Sequence, residues 1–127
     1  RKGLDGKPRE LHVNKALKVI DFKREEYSKV AALDFESFDK PVHTSSVIET
    51  PEFRINFIKI VDSELKLQVN NVPMFYNVIS GRGLVTCNNV SVDIKKGDSV
   101  LMPAQAGDCC FGSNERLCIV ESYNSGE

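Results

Sequence analysis

The stretch Phe75–Phe111, FYNVISGRGLVTCNNVSVDIKKGDSVLMPAQAGDCCF, carries the punctuation of strands, not of helices. Short apolar runs are separated by Gly81-Arg82-Gly83, Cys87-Asn88-Asn89 and Lys95-Lys96-Gly97-Asp98, and a Pro103-Ala104-Gln105-Ala106-Gly107 turn follows. Glycine, asparagine and aspartate tolerate the backbone conformations that close tight turns, and runs this short suit strands. The outline predicts a β-roll in which one strand pair closes through a glycine and the next begins after Lys-Gly-Asp. The stretch holds no histidine. Without imidazole, such a roll points to a structural or ligand-shaping module and not to a metal centre.

Upstream the same grammar continues. Phe53, Ile55, Phe57 and Lys59 share one face of an extended segment, with Arg54, Asn56, Ile58 and Ile60 on the other. That pattern predicts a strand buried largely on one side and partly on the other. Asp62-Ser63 reads as a turn, after which Leu65, Leu67 and Val69 alternate with Lys66, Gln68 and Asn70 in a strand returning antiparallel. Asn70-Asn71 turns the chain again. Met74–Ser80, Gly83–Cys87, Val90–Ile94, Ser99–Pro103, Asp108–Phe111 and Arg116–Ser122 complete a set of about eight short strands, an all-β sandwich or roll. Pro41–Glu49 predicts an edge strand or extended approach, and the polar tail Tyr123–Glu127 is expected to fray.

Ahead of the roll, Val13, Ala16, Leu17 and Ile20 fall at i, i+3, i+4 and i+7, the stripe of a short amphipathic helix starting near His12 and stopping before Phe22. A helix this short cannot stand alone, so its stripe is expected to dock on the sheet. Phe22–Lys40 reads as an irregular linking arm with a short strand near Val30–Leu33. The expected organisation is therefore a loop, helix and arm over residues 1–40 and a roll over 41–127, in one compact domain.

Composition excludes several classes. At 127 residues the chain is one ordinary domain, large enough to bury roughly two-thirds of its unfolded surface. A net charge of −1, from 17 basic and 18 acidic residues, lacks the basic face that nucleic acid requires. No apolar run reaches the ~18 residues of a membrane span, and the first residues do not form a signal peptide. The first residue, Arg1, is not an initiator methionine, so the chain is expected to be a piece cut from a longer protein. Four cysteines remain: Cys87, Cys109, Cys110 and Cys118. Adjacent Cys109 and Cys110 on a strand point to opposite faces, and no pair of CxxC motifs is present to hold zinc. They are expected to be reduced thiols acting as small buried residues in a cytoplasmic protein, with a cysteine pair or a reactive thiol as the alternatives.

No residue is assigned a catalytic, cofactor-binding or metal role. His12 and His43 are the only histidines. The first is expected to cap or pack at the helix–sheet seam, and the second to lie at the surface. His12 has no partner carboxylate that would make it a base. Arg1 and Arg9 could grip phosphate through a planar fork, but pairing with Asp5 or Glu10 is the simpler expectation. Gly81-Arg82-Gly83 is too short to cradle a phosphate.

Two blocks carry a resemblance. The first is Arg1…Gly6-Lys7-Pro8-Arg9-Glu10-Leu11-His12-Val13-Asn14-Lys15-Ala16-Leu17-Lys18-Val19-Ile20. The second is Asn77-Val78-Ile79-Ser80-Gly81-Arg82-Gly83 followed by Lys95-Lys96-Gly97-Asp98-Ser99-Val100-Leu101-Met102-Pro103-Ala104 and Gly107. The roll resembles the cupins, in which Lys-Lys-Gly-Asp before a proline turn recurs widely. The helix block at this distance makes the chain resemble the carboxy-terminal part of bacterial type I mannose-6-phosphate isomerases. The slot where a metal-binding cupin would place its late histidine is occupied here by Asp108-Cys109-Cys110, and Phe75-Tyr76-Asn77 stands near the earlier ligand position.

The resemblance implies a non-catalytic cupin-like domain of an enzyme interconverting mannose 6-phosphate and fructose 6-phosphate. A zinc ion would be held by the preceding half, with the arginine treated as catalytic in the family also upstream of Arg1. The implied partner is that missing half, which would bury the helix stripe. A different class remains open: a free-standing, metal-less cupin binding a small sugar or acid in its barrel mouth. A cupin enzyme in its own right is the weakest reading, because ligands and acid–base pairs are missing.

Overall fold

The structure, a computed structural model, describes residues 6–7, 11–20, 22 and 39–124. Its elements are helix α1 (Val13–Val19) and strands β1 (Val42–Glu49), β2 (Phe53–Val69), β3 (Met74–Cys87), β4 (Val90–Lys95), β5 (Ser99–Met102) and β6 (Gly107–Asn124). Every pairing is antiparallel. The strand order is β1-β2-β6-β3-β4, and β5 also pairs with β3. The expected all-β roll is present, with six strands among the described residues in place of about eight.

The difference has one cause, repeated three times. Places that read as turns are irregularities inside long bent strands. Asp62, at φ 44°, lies where the register of β2 against β6 shifts between Val61 and Ser63, so β2 continues in the same direction instead of returning. Aspartate is among the few non-glycine residues that visit this left-handed conformation. Gly81, at φ 78°, does the same for β3, whose register against β6 shifts between Gly81 and Leu84. The expected strands Asp108–Phe111 and Arg116–Ser122 are likewise one strand, β6. Such bulges bend a strand and raise its twist without ending it.

The turns that did form have specific chemistry. Asn88 and Asn89 both have positive φ, 50° and 63°, as the two-residue loop between β3 and β4 requires. The Lys95–Asp98 turn is closed by Asp98 N–H donating to the Lys95 carbonyl (2.9 Å) and by Lys95 N–H donating to Asp98 Oδ2 (2.9 Å). It then docks on the bend of β3: Gly97 N–H donates to the Val78 carbonyl, Val78 N–H to the Asp98 carbonyl, and Lys96 N–H to the Gly81 carbonyl. The turn thus supplies hydrogen bonds where β3 changes partner from β5 (Met74–Asn77) to β4 (Arg82–Cys87).

Alternation then builds the core. Ile58 and Ile60 of β2, Leu117 and Ile119 of β6, Val78 of β3 and Phe111 meet in one cluster with Val69, Tyr76, Val85, Ile94 and Met102. Phe57 and Cys118, on the opposite face of the same strands, are also buried, so the centre of β2 is covered on both sides as its pattern predicts. β1 is an edge strand, as read. Tyr123 and Asn124 belong to β6, paired with Arg54 and Phe53, and do not fray.

The helix is the clearest departure. α1 lies where the stripe puts it, yet none of its residues is buried: Val13 is 55%, Leu17 51% and Ile20 48% exposed. The expected docking on the sheet does not occur. The expected strand at Val30–Leu33, most of the linking arm, Arg1 and Arg9 lie outside the described residues.

A Cβ at Gly81 would overlap the Arg116 carbonyl oxygen of the neighbouring strand, whereas one at Gly97 meets nothing within 4 Å, although its φ is 95°. Gly81→Ala should therefore cost about 3 kcal/mol or more, and Gly97→Ala about 1 kcal/mol of left-handed strain alone. Urea unfolding of the two variants checks this ranking.

Candidate functional site

The residues that drew attention in the sequence are not brought together. His12 occupies the N-cap position of α1 but makes no side-chain capping hydrogen bond, and it is exposed. His43 is half-buried on β1 with Nε2 2.7 Å from Ser45 Oγ. The Asp108–Cys110 slot alternates: Asp108 points out, Cys109 is buried in the core, and Cys110 is half-buried on the other face. Cys109 is joined by a disulfide to Cys87, its register partner on β3. The expectation of four reduced thiols is corrected there, because antiparallel pairing of β3 with β6 brings the two Cα atoms to 4.4 Å. Cys110 and Cys118 remain free thiols.

The roll interior contains one polar row that the sequence reading passed over. Asn56 of β2, Glu121 of β6 and Tyr76 of β3 are cross-strand neighbours. Asn56 Nδ2 donates to Glu121 Oε1 at 2.8 Å, and Glu121 is only 9% exposed. Tyr76 is fully buried, its ring 4.7 Å from that of Phe111 and tilted by 57°. Its hydroxyl makes no hydrogen bond of good geometry. Burial first, and the nearby Glu121 carboxylate second, hold the Tyr76 pKa well above the ordinary phenol value. A carboxylate on the face of Leu117 and Ile119, two residues apart along an apolar strand, is the signal that could have revealed this row. Around it, the core side chains Ile58, Val78, Phe111 and Ile119 occupy the interior.

Two clefts lie at the rim of the roll. One, of about 880 Å³, follows the bends of β2, β3 and β6; its floor includes Gly83 and its walls carry Glu64, Arg82, Lys95, Asp98 and Glu115. Arg82 grips Glu115 through Nη2 (2.5 Å to Oε1) and Nε (3.3 Å to Oε2), so the two charges answer each other in solvent. Arg82 holds the Glu115 carboxyl below its usual range. The other cleft, of about 720 Å³, opens beside Lys66, Thr86, Asn88, Cys109 and Cys110.

Among the described residues, no group of three His, Cys, Asp or Glu side chains could hold a metal ion. Cys109 is committed to Cys87, and His43 is bound to Ser45. The zinc that the isomerase resemblance brings with it therefore does not fit the described part of this chain. No described helix is long and apolar enough to cross a membrane.

No protein-family model matches the chain, and no curated protein matches it in sequence. Solved structures do. The mannose 6-phosphate isomerase from Bacillus subtilis superposes with a TM-score of 0.71 at 23% identity, covering 96% of this chain but only 37% of that one. A cupin superfamily protein from Desulfitobacterium hafniense gives a TM-score of 0.59 at 14% identity, covering 65% of this chain and 76% of that one. The plu4264 protein from Photorhabdus luminescens gives 0.63 at 16% identity, over 74% and 85%. At these identities the likeness shows the fold, which is the cupin β-roll.

The buried phenol makes stability depend on alkaline pH. Its folded pKa lies above the ordinary value of 10.0, so the native state keeps a proton that the unfolded state releases. That stability is complete below pH 10 and is lost as pH rises above it toward the native pKa. Between pH 8 and 11 the native protein should lose about 1.4 kcal/mol more than Tyr76→Phe does, the equivalent of one pH unit beyond the unfolded pKa. Urea midpoints of both proteins across this range check the difference.

Proposed function

We propose that this chain is the carboxy-terminal, non-catalytic cupin domain of a cytoplasmic mannose-6-phosphate isomerase. The observation that carries the reading is the reach of one resemblance. The isomerase from Bacillus subtilis matches 96% of this chain, against 65% and 74% for the other two structures.

Physical features support a structural role for the roll. Its interior is filled by Ile58, Val78, Phe111, Leu117 and Ile119, leaving the place where cupins shape a ligand site occupied by core side chains. The polar row Asn56–Glu121–Tyr76 is buried within that core. α1 and its flanks present Leu11, Val13, Leu17, Ile20 and Phe22 to solvent, an apolar surface that a catalytic half would cover. In the proposed parent, the sugar phosphate, the zinc ion and the groups that move a proton between adjacent sugar carbons all belong to that other half.

The test is direct. The 127-residue chain, purified and supplied with zinc, is assayed for interconversion of mannose 6-phosphate and fructose 6-phosphate, and no turnover is expected. Turnover by the isolated chain overturns the non-catalytic assignment. In a second arm, the chain replaces the corresponding terminal third of the Bacillus subtilis enzyme. A soluble chimera that isomerises the sugar phosphate is the expected result, and a soluble but inactive chimera removes the domain assignment.

A further inference from the structure

Cys87 ends β3 and Cys109 lies near the start of β6, directly opposite in register and disulfide-linked. Three observations set this bond apart from a buried structural staple. Its position is reachable from one side: Cys87 is half-buried at the end of β3, and its hairpin neighbours Asn88, Asn89 and Val90 are exposed. Its reduced form has a place to go: Cys87 Sγ lies 3.5 Å from the Ala106 carbonyl oxygen, an acceptor for the thiol proton once the bond is broken. Reduction therefore leaves the Cys87 thiol with an acceptor at hand. Finally, the bond encloses a vulnerable segment. The loop between the two cysteines contains β4 and β5, each held in the sheet through β3 alone.

We propose that Cys87 and Cys109 form a reversible thiol–disulfide clasp that tightens the β4–β5 segment on oxidation and loosens it on reduction. The coupled reagent is a low-molecular-weight thiol and its disulfide, of the glutathione class. In the forward direction the Cys87 thiolate attacks the small disulfide, forming a mixed disulfide and releasing one small thiolate. The Cys109 thiolate then attacks Cys87 Sγ, forming the protein bond and releasing the second small thiolate. Two cysteine thiols are oxidised, each losing its proton, and one small disulfide is reduced to two thiols. Cys110 does not compete for Cys109: as a strand neighbour it points to the opposite face, and burial pushes its thiol pKa up, away from the reactive thiolate. A clasp of this kind suits a reducing compartment, where protein disulfides are typically transient and regulatory.

The experiment uses the whole chain equilibrated with dithiothreitol or with oxidised glutathione, then denatured and alkylated. Mass spectrometry should find four alkylated cysteines in the first sample and two in the second, with a Cys87–Cys109 linked peptide. Hydrogen exchange in β4 and β5 should be faster in the reduced protein, and its Tm lower by roughly 12 °C, as expected for opening a loop of this length. Cys110→Ser should keep the whole response and Cys87→Ser should abolish it. Should Cys87→Ser fail to fold, the wild-type mass and exchange data decide alone. Four free thiols after treatment with oxidised glutathione, a cross-link between other cysteines, or exchange and Tm that ignore redox state would each overturn the proposal.

Discussion

Everything in this molecule leans on the antiparallel pairing of β6 with two partners at once. Its 18 residues hydrogen-bond to β2 on one side and to β3 on the other over nearly their full lengths. A strand this long, kept straight, would leave its apolar face spread flat and half in water. The register shifts at Val61/Ser63 and at Gly81/Leu84 bend its neighbours near the same level, so the sheet curls and its inner face closes on itself. Gly81 is indispensable to that bend, since its Cα passes against the Arg116 carbonyl of β6 where no side chain has room.

Once the sheet curls, burial follows from alternation. Residues at every second position of β2, β3 and β6 meet in the interior, and each apolar pair across strands removes surface from water at about 25 cal/mol per Å². The same geometry carries Glu121 and Tyr76 inside with Ile119 and Phe111. Their burial is tolerable because Asn56 donates to the carboxylate and the phenol keeps its proton. It also carries Cys87 and Cys109 to one point. The disulfide, the polar row and the bend are thus consequences of a single register, and a slip of one residue would remove all three.

How far these features could be read beforehand varied with the range of the interaction behind them. The Asn88-Asn89 hairpin, the Lys-Lys-Gly-Asp turn and the edge strand before Pro51 are local, and they stand where residue type places them. Asp62-Ser63 and Gly81-Arg82-Gly83 use the same turn residues, yet neither reverses the chain. A left-handed aspartate or glycine permits a turn or a bulge equally well, and the choice is made by hydrogen bonds to a strand some fifty residues or more away in the case of Asp62. The cysteines show the same limit: composition favoured buried thiols, whereas the proximity of Cys87 to Cys109 exists only after β3 and β6 pair. The helix stripe was correct in period and wrong in destination, because periodicity says that a face is apolar and not what covers it.

From the order of residues alone came the all-β class, the alternation that fills the core, the glycine- and asparagine-rich turns and the short helix, since each depends on contacts within a few residues. The folded chain supplied the merger of three pairs of expected strands into β2, β3 and β6, the interior row of Asn56, Glu121 and Tyr76, and the Cys87–Cys109 bond. These arise from strand pairing across long stretches of chain, where the energy of a register is shared among many residues and written in none of them singly.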